Sequence, residues 1–125
     1  MDSYLEKVID IFNEHFYDAG KVNVDGSVLK CWKSAGHGDQ TFLQVLQNSC
    51  NPGFVKIGQL LGKERLFSYL DKFGFGDKTG VDLSGESTGI MFPLDRVGNV
   101  ELATSAFGQG ISVTPIQQVM AVSAV

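Results

Sequence analysis

Three short stretches of this 125-residue chain carry the residue types of serine acyl-transfer chemistry. Ser27-Val28-Leu29-Lys30 sets a hydroxyl and an amine three positions apart, and Lys78-Thr79-Gly80 joins an amine to a hydroxyl and a glycine. Ser49-Cys50-Asn51 gathers a hydroxyl, a thiol and a side-chain amide. A nucleophilic serine needs a base within hydrogen-bond reach. An asparagine amide offers carbonyl and NH2 together for holding a peptide bond. The patterns S-x-x-K, S-x-N and K-T-G, taken at face value, are the parts of one acyl-transfer site. A second group of residues suits a metal. Cys31, His37 and Cys50, with Asp39 or a water as fourth partner, offer the thiolate and imidazole donors that tetrahedral zinc favours. Their spacing is not that of a standard zinc finger, so a Cys31–Cys50 disulfide and two free buried thiols stay open as alternatives. His15 is the rival imidazole, but it falls in a helical stripe and reads as a surface residue.

The elements that must position these residues decide which motifs count. Ser27 follows Asp25-Gly26, a strong hairpin signal between the alternating runs 21–24 and 28–32. In a strand, side chains three apart point to opposite faces, so Lys30 cannot reach the Ser27 hydroxyl. A nucleophile with its lysine one turn later belongs at a helix start, where developing negative charge is also favoured. Lys78-Thr79-Gly80 lies in a glycine-dense turn region rather than in a strand lining a cleft. Both are set aside as catalytic pairs. Ser49-Cys50-Asn51 differs, because it interrupts an amphipathic run and is followed by Pro52 and Gly53. Ser and Asn favour helix ends, and Pro suits a fresh first turn, so the triplet sits at a junction between two helices.

The rest of the chain reads as mainly helical. Leu5, Val8, Ile9 and Phe12 form a helical stripe over residues 1–16. SAGHGD is a loop of small residues, and Asp39 or Thr41 caps a helix over residues 41–49. Residues 54–61 form a second helix closed by Gly62. Residues 63–73 form a third, with Leu66, Phe67, Leu70 and Phe73 on one face and Gly74 as its terminator. Glycine-rich turns fill residues 74–93, a short helix spans 99–107, and Gly108-Gln109-Gly110 makes a tight turn. Thr114 and Pro115 open a last helix that ends in an apolar run without a C-cap. That exposed apolar end leads us to expect a piece of a longer chain, with homo-oligomerisation through this helix as a consequence. Phe67, Phe73 and Phe75 read as core rather than as a cofactor box. Gly108-Gln109-Gly110 lacks the Lys-Ser/Thr ending and preceding strand of a phosphate loop.

Composition narrows the function classes. The formal charge of −4 and pI near 5.0, with no basic run, speak against a nucleic-acid partner. No run of about 18 apolar residues is present for a membrane span. The acidic, amphipathic start is unlike a signal peptide.

Three blocks, TFLQVLQNSCNPGFVKIGQLLG, FGFGDKTGVDLSGESTGI and ATSAFGQGISVTPIQQVMAVSA, occur in this order. From about residue 16 onward the chain resembles the transpeptidase domain of class B penicillin-binding proteins, and is most similar to the sporulation-specific (stage V sporulation protein D-type) members. The resemblance implies a mainly α fragment with a small β-hairpin, the helical subdomain of a penicillin-binding/β-lactamase-like transpeptidase fold. It implies a serine-type peptidoglycan D,D-transpeptidase as parent: a serine attacks a D-Ala-D-Ala stem peptide, expels D-Ala, and passes the acyl group to an amine on a neighbouring strand. It assigns Ser49 to proton relay toward the leaving amine and Asn51 to holding the substrate peptide, and makes Lys78-Thr79-Gly80 a namesake of the catalytic triplet. No cofactor is required, and zinc enters only as a structural ion. The implied partners are peptidoglycan stem peptides and β-lactams, at the extracytoplasmic face of a membrane reached through an anchor of the parent. The family's S-x-x-K should precede residue 16, yet residues 1–15 lack it, Ser3 being followed by Lys7 one position too late. Its K-T-G strand should follow residue 125. Residues 1–125 are therefore expected to be one partial domain, inactive alone. The alternative is a stand-alone zinc-binding or protein-interaction module on the same scaffold. A serine β-lactamase ranks third, since no deacylating glutamate stands in a recognisable place.

Overall fold

The computed structural model describes residues 13–124. Four short strands come first: β1 (His15–Asp18), β2 (Lys21–Val24), β3 (Ser27–Lys30) and β4 (Gly38–Thr41). Helices α1 (Phe42–Asn48), α2 (Asn51–Leu61) and α3 (Lys63–Lys72) follow, then a 3-10 turn at Leu94–Arg96 and helices α4 (Asn99–Ala106) and α5 (Pro115–Ser123). The mainly α architecture with a small hairpin is as the sequence suggests, with one addition. β2 and β3 form the expected hairpin, and β1 and β4 form a second antiparallel ribbon in which His15 faces Thr41 and Asp18 faces Gly38. Most of the helical stripe expected over residues 1–16 falls outside the described residues, and its last two residues, His15 and Phe16, lie in strand β1 instead.

Local rules account for most element ends. Asp25 and Gly26 both take positive φ, 49° and 84°, the backbone of a two-residue hairpin turn. The second hairpin strand stops at Lys30 rather than residue 32, which leaves Cys31 and Trp32 free to leave the ribbon. Thr41, not Asp39, caps α1: its hydroxyl accepts from Gln44 N–H while the Gln44 side chain accepts from Thr41 N–H. Thr114 and Gln117 repeat that reciprocal box at the start of α5. After α3, Phe75 N–H bonds Leu70 O at 3.0 Å and Gly74 N–H bonds Asp71 O at 2.9 Å, the paired closure of a Schellman motif. This early closure leaves Phe73 off the packed face where periodicity puts it, and it is half exposed. On α5, Val119, Met120 and Val122 face outward. Among the described residues no helix is long and apolar enough to cross a membrane.

Helix α2 is the central beam. Phe54, Ile57 and Leu60 pack beside Phe16, Cys31, Val45 and Cys50. Val55, one residue round, packs instead with Val24 and Ala103. Two sides of one helix thus bury against the strands and α1 on one hand, and against α4 on the other. Full burial of a Val- or Phe-sized side chain contributes about 1.5–3 kcal/mol. The approach to α4 depends on Gly58, where a Cβ would lie 2.6 Å from the Ala106 Cβ.

That contact makes a prediction. Gly58→Ala gains about 1 kcal/mol of helix propensity, but overpacking against a backbone-bound methyl costs about 1–3 kcal/mol. The variant should lose stability in denaturant unfolding, and Ala106→Gly in the same chain should restore part of it. A Gly58→Ala chain more stable than the native one would mean that α2 and α4 do not meet this closely.

Candidate functional site

The Ser49-Cys50-Asn51 triplet stands where α1 ends and α2 begins. Ser49 closes α1 in the left-handed conformation (φ 48°, ψ 49°), with its N–H on Leu46 O at 3.2 Å and the Cys50 N–H on Val45 O at 3.1 Å. A non-glycine residue pays about 1 kcal/mol or more for that backbone, so the surroundings must hold it. Cys50 is extended (φ −81°, ψ 110°) and stands just before α2, of which Asn51 is the first residue and Pro52 the second. The helix therefore starts three residues earlier than its apolar periodicity suggests. Side chains alternate through the junction: Ser49 is exposed, Cys50 fully buried, Asn51 half buried. The Asn51 Nδ2 donates to Lys30 O at 3.2 Å.

Beneath this turn lies a buried polar cluster. Asp18, at the inner end of β1, accepts from Gly20 N–H at 2.7 Å through Oδ1. Its Oδ2 accepts from His37 N–H at 2.9 Å and from the Cys50 thiol at 3.3 Å. His37 Nδ1 stands 2.8 Å from that same oxygen and 3.3 Å from Cys31 Sγ. His37 Nε2 is buried and has no hydrogen-bond partner among the described residues. Gln40, buried on β4, donates to Cys50 Sγ at 3.2 Å and accepts from Asn48 Nδ2 at 3.0 Å. Glycine makes the assembly possible: a Cβ on Gly36 would lie 2.3 Å from Asp18 O, and one on Gly20 as close to Ser34 O. The loop between β3 and β4 can thus lie on the end of β1 and deliver His37.

Electrostatics follow from this geometry. Burial alone would raise the Asp18 carboxyl, but the hydrogen bonds from Cys31, His37 and Gly20 win and hold it well below the usual carboxylate range. Burial pushes the Cys31 thiol up to about 11, with the Asp18 charge adding to the rise. Burial also raises Cys50. Both cysteines are free thiols. The donor atoms of Asp18, Cys31, His37 and Cys50 lie within 4.8 Å of one another. A tetrahedral zinc site with bonds near 2.0–2.3 Å has edges of about 3.3–3.8 Å, so these residues fit one after small shifts.

Of the residues read as metal ligands, the structure brings Cys31, His37 and Cys50 together and leaves Asp39 out. Asp39 and Gln40 are neighbours on β4, so they point to opposite faces. Gln40 takes the inner face, while Asp39 is exposed with its carboxylate 2.8 Å from His15 Nδ1. Asp18 fills the fourth place instead. The sequence reading misses it because a helical stripe running to Phe16 leaves no strand at residues 15–18; in the structure these form β1, with Phe16 and Asp18 on its buried face. His15 is exposed as expected, though on a strand rather than a helix.

The two motifs set aside lie elsewhere. Ser27 and Lys30 are both in β3. Thr79 donates through N–H and hydroxyl to Glu86 Oε2 at 2.7 and 2.6 Å, and Gly80 N–H donates to Glu86 Oε1 at 3.2 Å. Those donors, the Thr79 hydroxyl foremost, lower the Glu86 carboxyl. The hydroxyl of this Lys-Thr-Gly is thus engaged in closing its own loop.

The comparisons with known proteins agree with the fold. Stage V sporulation protein D of Bacillus subtilis (strain 168) is 65% identical over 119 residues, 95% of this chain and 18% of that protein. Peptidoglycan D,D-transpeptidase FtsI of Escherichia coli (strain K12) is 35% identical over 83 residues, 66% of this chain and 14% of that protein. This chain therefore spans less than a fifth of the length of either relative. The apo transpeptidase (TP) domain of penicillin-binding protein 3 from Burkholderia pseudomallei superposes with a TM-score of 0.86 at 27% identity, over 96% of this chain and 35% of that one. The model of the penicillin binding protein transpeptidase domain matches residues 6–125, and the chain belongs to that family.

Proposed function

We propose that this chain is the S-x-N-bearing helical part of a serine-type peptidoglycan D,D-transpeptidase that serves sporulation, in cortex synthesis. The observation that carries the reading is the exposed Ser49 at a strained helix junction, in a chain 65% identical to a stage V sporulation protein. In the parent enzyme a serine–lysine pair outside these residues attacks the D-Ala-D-Ala stem peptide. Ser49 passes a proton toward the departing D-Ala amine, a general acid–base role. Asn51 holds the substrate peptide with its side-chain amide. The acyl group then moves to an amine on a neighbouring strand, and β-lactams enter as substrate mimics. The reaction takes place at the extracytoplasmic face, with the membrane anchor elsewhere in the parent, and needs no cofactor.

A structural zinc is the second part of the proposal, supported by the mutual approach of Asp18, Cys31, His37 and Cys50. Those side chains tie β1, the loop after β3 and the S-x-N junction to one centre, so an ion there would fix the junction's shape. The competing reading is a stand-alone zinc-binding or protein-interaction module without catalysis.

Two tests separate these readings. The chain alone, incubated with a fluorescent penicillin and resolved under denaturing conditions, should show no labelled band, since it lacks the nucleophile and its lysine. The full-length protein should label, and Ser49→Ala should slow its transpeptidation about 100-fold or more. A labelled band from residues 1–125 overturns the inactivity of the chain, and an unlabelled full-length protein favours the stand-alone module. For zinc, added metal should raise the melting temperature, by about 2.7 kcal/mol of stability at a hundredfold excess over Kd. Cys31→Ser, Cys50→Ser and Asp18→Asn should abolish the rise, and Asp39→Asn should keep it. Burial raises both thiols, Cys31 to about 11, so they are protonated at neutral pH and must shed protons to bind. Affinity should therefore increase as pH rises through the neutral range. A melting temperature indifferent to zinc, with no metal in protein purified without it, removes the ion.

A further inference from the structure

We propose that Trp32 is the positioning residue of the S-x-N turn, a role that rests on the transpeptidase reading above. Trp32 is the chain's only tryptophan, and two-thirds of it (67%) is exposed. Its polar edge nevertheless does not serve solvent. The indole Nε1–H donates to the Asn48 carbonyl at 2.7 Å. Asn48 is the last residue of α1 and the immediate neighbour of Ser49. Its carbonyl is one of the group at a helix C-terminus that finds no partner inside the helix. The indole satisfies it.

This bond belongs to a clamp. Lys30 and Trp32 flank the buried Cys31, and Asn48 and Asn51 flank Ser49 and Cys50. Trp32 donates to Asn48 O, and Lys30 O accepts from Asn51 Nδ2. The exit of β3 thus grips both ends of the S-x-N turn, while Cys31 and Cys50 meet Asp18 and His37 below it. The Trp32 ring meets the His37 ring edge-on, with centroids 5.0 Å apart and planes at 69°, which fixes the direction of the N–H. The Asn48 side chain is tied to Gln40, so its carbonyl is the one point of that residue held from the Trp32 side.

The clamp acts on a residue that needs holding. Ser49 is one of two non-glycine residues at positive φ among the described residues, and such a backbone relaxes when its surroundings loosen. Freeing the Asn48 carbonyl lets the adjoining peptide rotate and carries the Ser49 hydroxyl away from its working position. Displacements of about 1 Å at a reacting group cost rate steeply.

The experiment uses the full-length protein carrying this chain, with Trp32 replaced by Phe and, by site-specific incorporation, by benzothienylalanine. The latter keeps the shape of the ring and its contact with His37 but has sulfur in place of the N–H. The first-order acylation rate by a fluorescent penicillin should fall about tenfold in both, with the dissociation constant of the initial complex nearly unchanged and the melting temperature of the benzothienylalanine form close to native. 5-Fluorotryptophan, which retains the N–H, should acylate at the native rate. If the benzothienylalanine form acylates as fast as the native protein, the clamp is overturned and the transpeptidase reading stands. Loss of rate that disappears on normalising to folded protein overturns it equally. Failure of the native protein itself to acylate removes both readings.

Discussion

The buried Asp18 carboxylate is the interaction on which the rest of this structure depends. Its two oxygens accept from a backbone amide two residues away, a backbone amide nineteen residues away, and a thiol thirty-two residues away. An isolated buried carboxylate would be costly, and several charge-assisted hydrogen bonds are what make it tolerable. Each of those bonds also joins a different segment: the turn after β1, the loop before β4, and the junction of α1 with α2. The carboxylate fixes their relative placement while its own ionisation is protected by them. Loss of the charge would leave three segments without a common centre, whether or not an ion also sits there.

Placing the polar cluster directly under the S-x-N turn gives that turn an unusual foundation. Ser49 occupies a backbone conformation that it would not hold by itself, and Cys50, the residue between Ser49 and Asn51, is the deepest side chain of the three. The thiol points inward and ties the turn to the buried cluster, while Ser49 stays exposed and Asn51 half buried. Helix α2 continues from this anchor into the core, so Asn51 is carried on the most thoroughly packed element of the molecule. Side chains that must act within a few tenths of an ångström are best borne by such rigid supports. Two hydrogen bonds from the end of β3 and the residues after it, Trp32 Nε1–H to Asn48 O and Asn51 Nδ2 to Lys30 O, flank the turn on its other side.

The decoy motifs carry a general lesson about letters and geometry. Ser27 and Lys30 have the spacing of a catalytic pair, yet a strand turns that spacing to opposite faces. Lys78-Thr79-Gly80 spells a catalytic triplet, yet its hydroxyl and two of its amides are taken by Glu86. The meaning of a short motif lies in the element that presents it.

How far the sequence could be read varies with how local the deciding interaction is. The hairpin turn at Asp25-Gly26, the Thr114 cap, the stop at Gly74 and the break at Ser49-Cys50-Asn51 are all governed by contacts within a few residues, and the sequence by itself determined them; at the start of α1 it offered both Asp39 and Thr41, and the structure chose Thr41. So too with the family, whose blocks are contiguous. The ribbon of β1 with β4 escaped, because four-residue strands twenty-odd positions apart leave little periodicity to detect and gain their stability only from each other. With that ribbon went the identity of the fourth partner in the buried cluster. Asp39 and Asp18 are equally good carboxylates by composition; only the pleat of the paired strands turns one toward His15 at the surface and the other toward Cys31, His37 and Cys50 inside. Tertiary structure decided that choice, since which face of a strand is buried is a property of what packs against it.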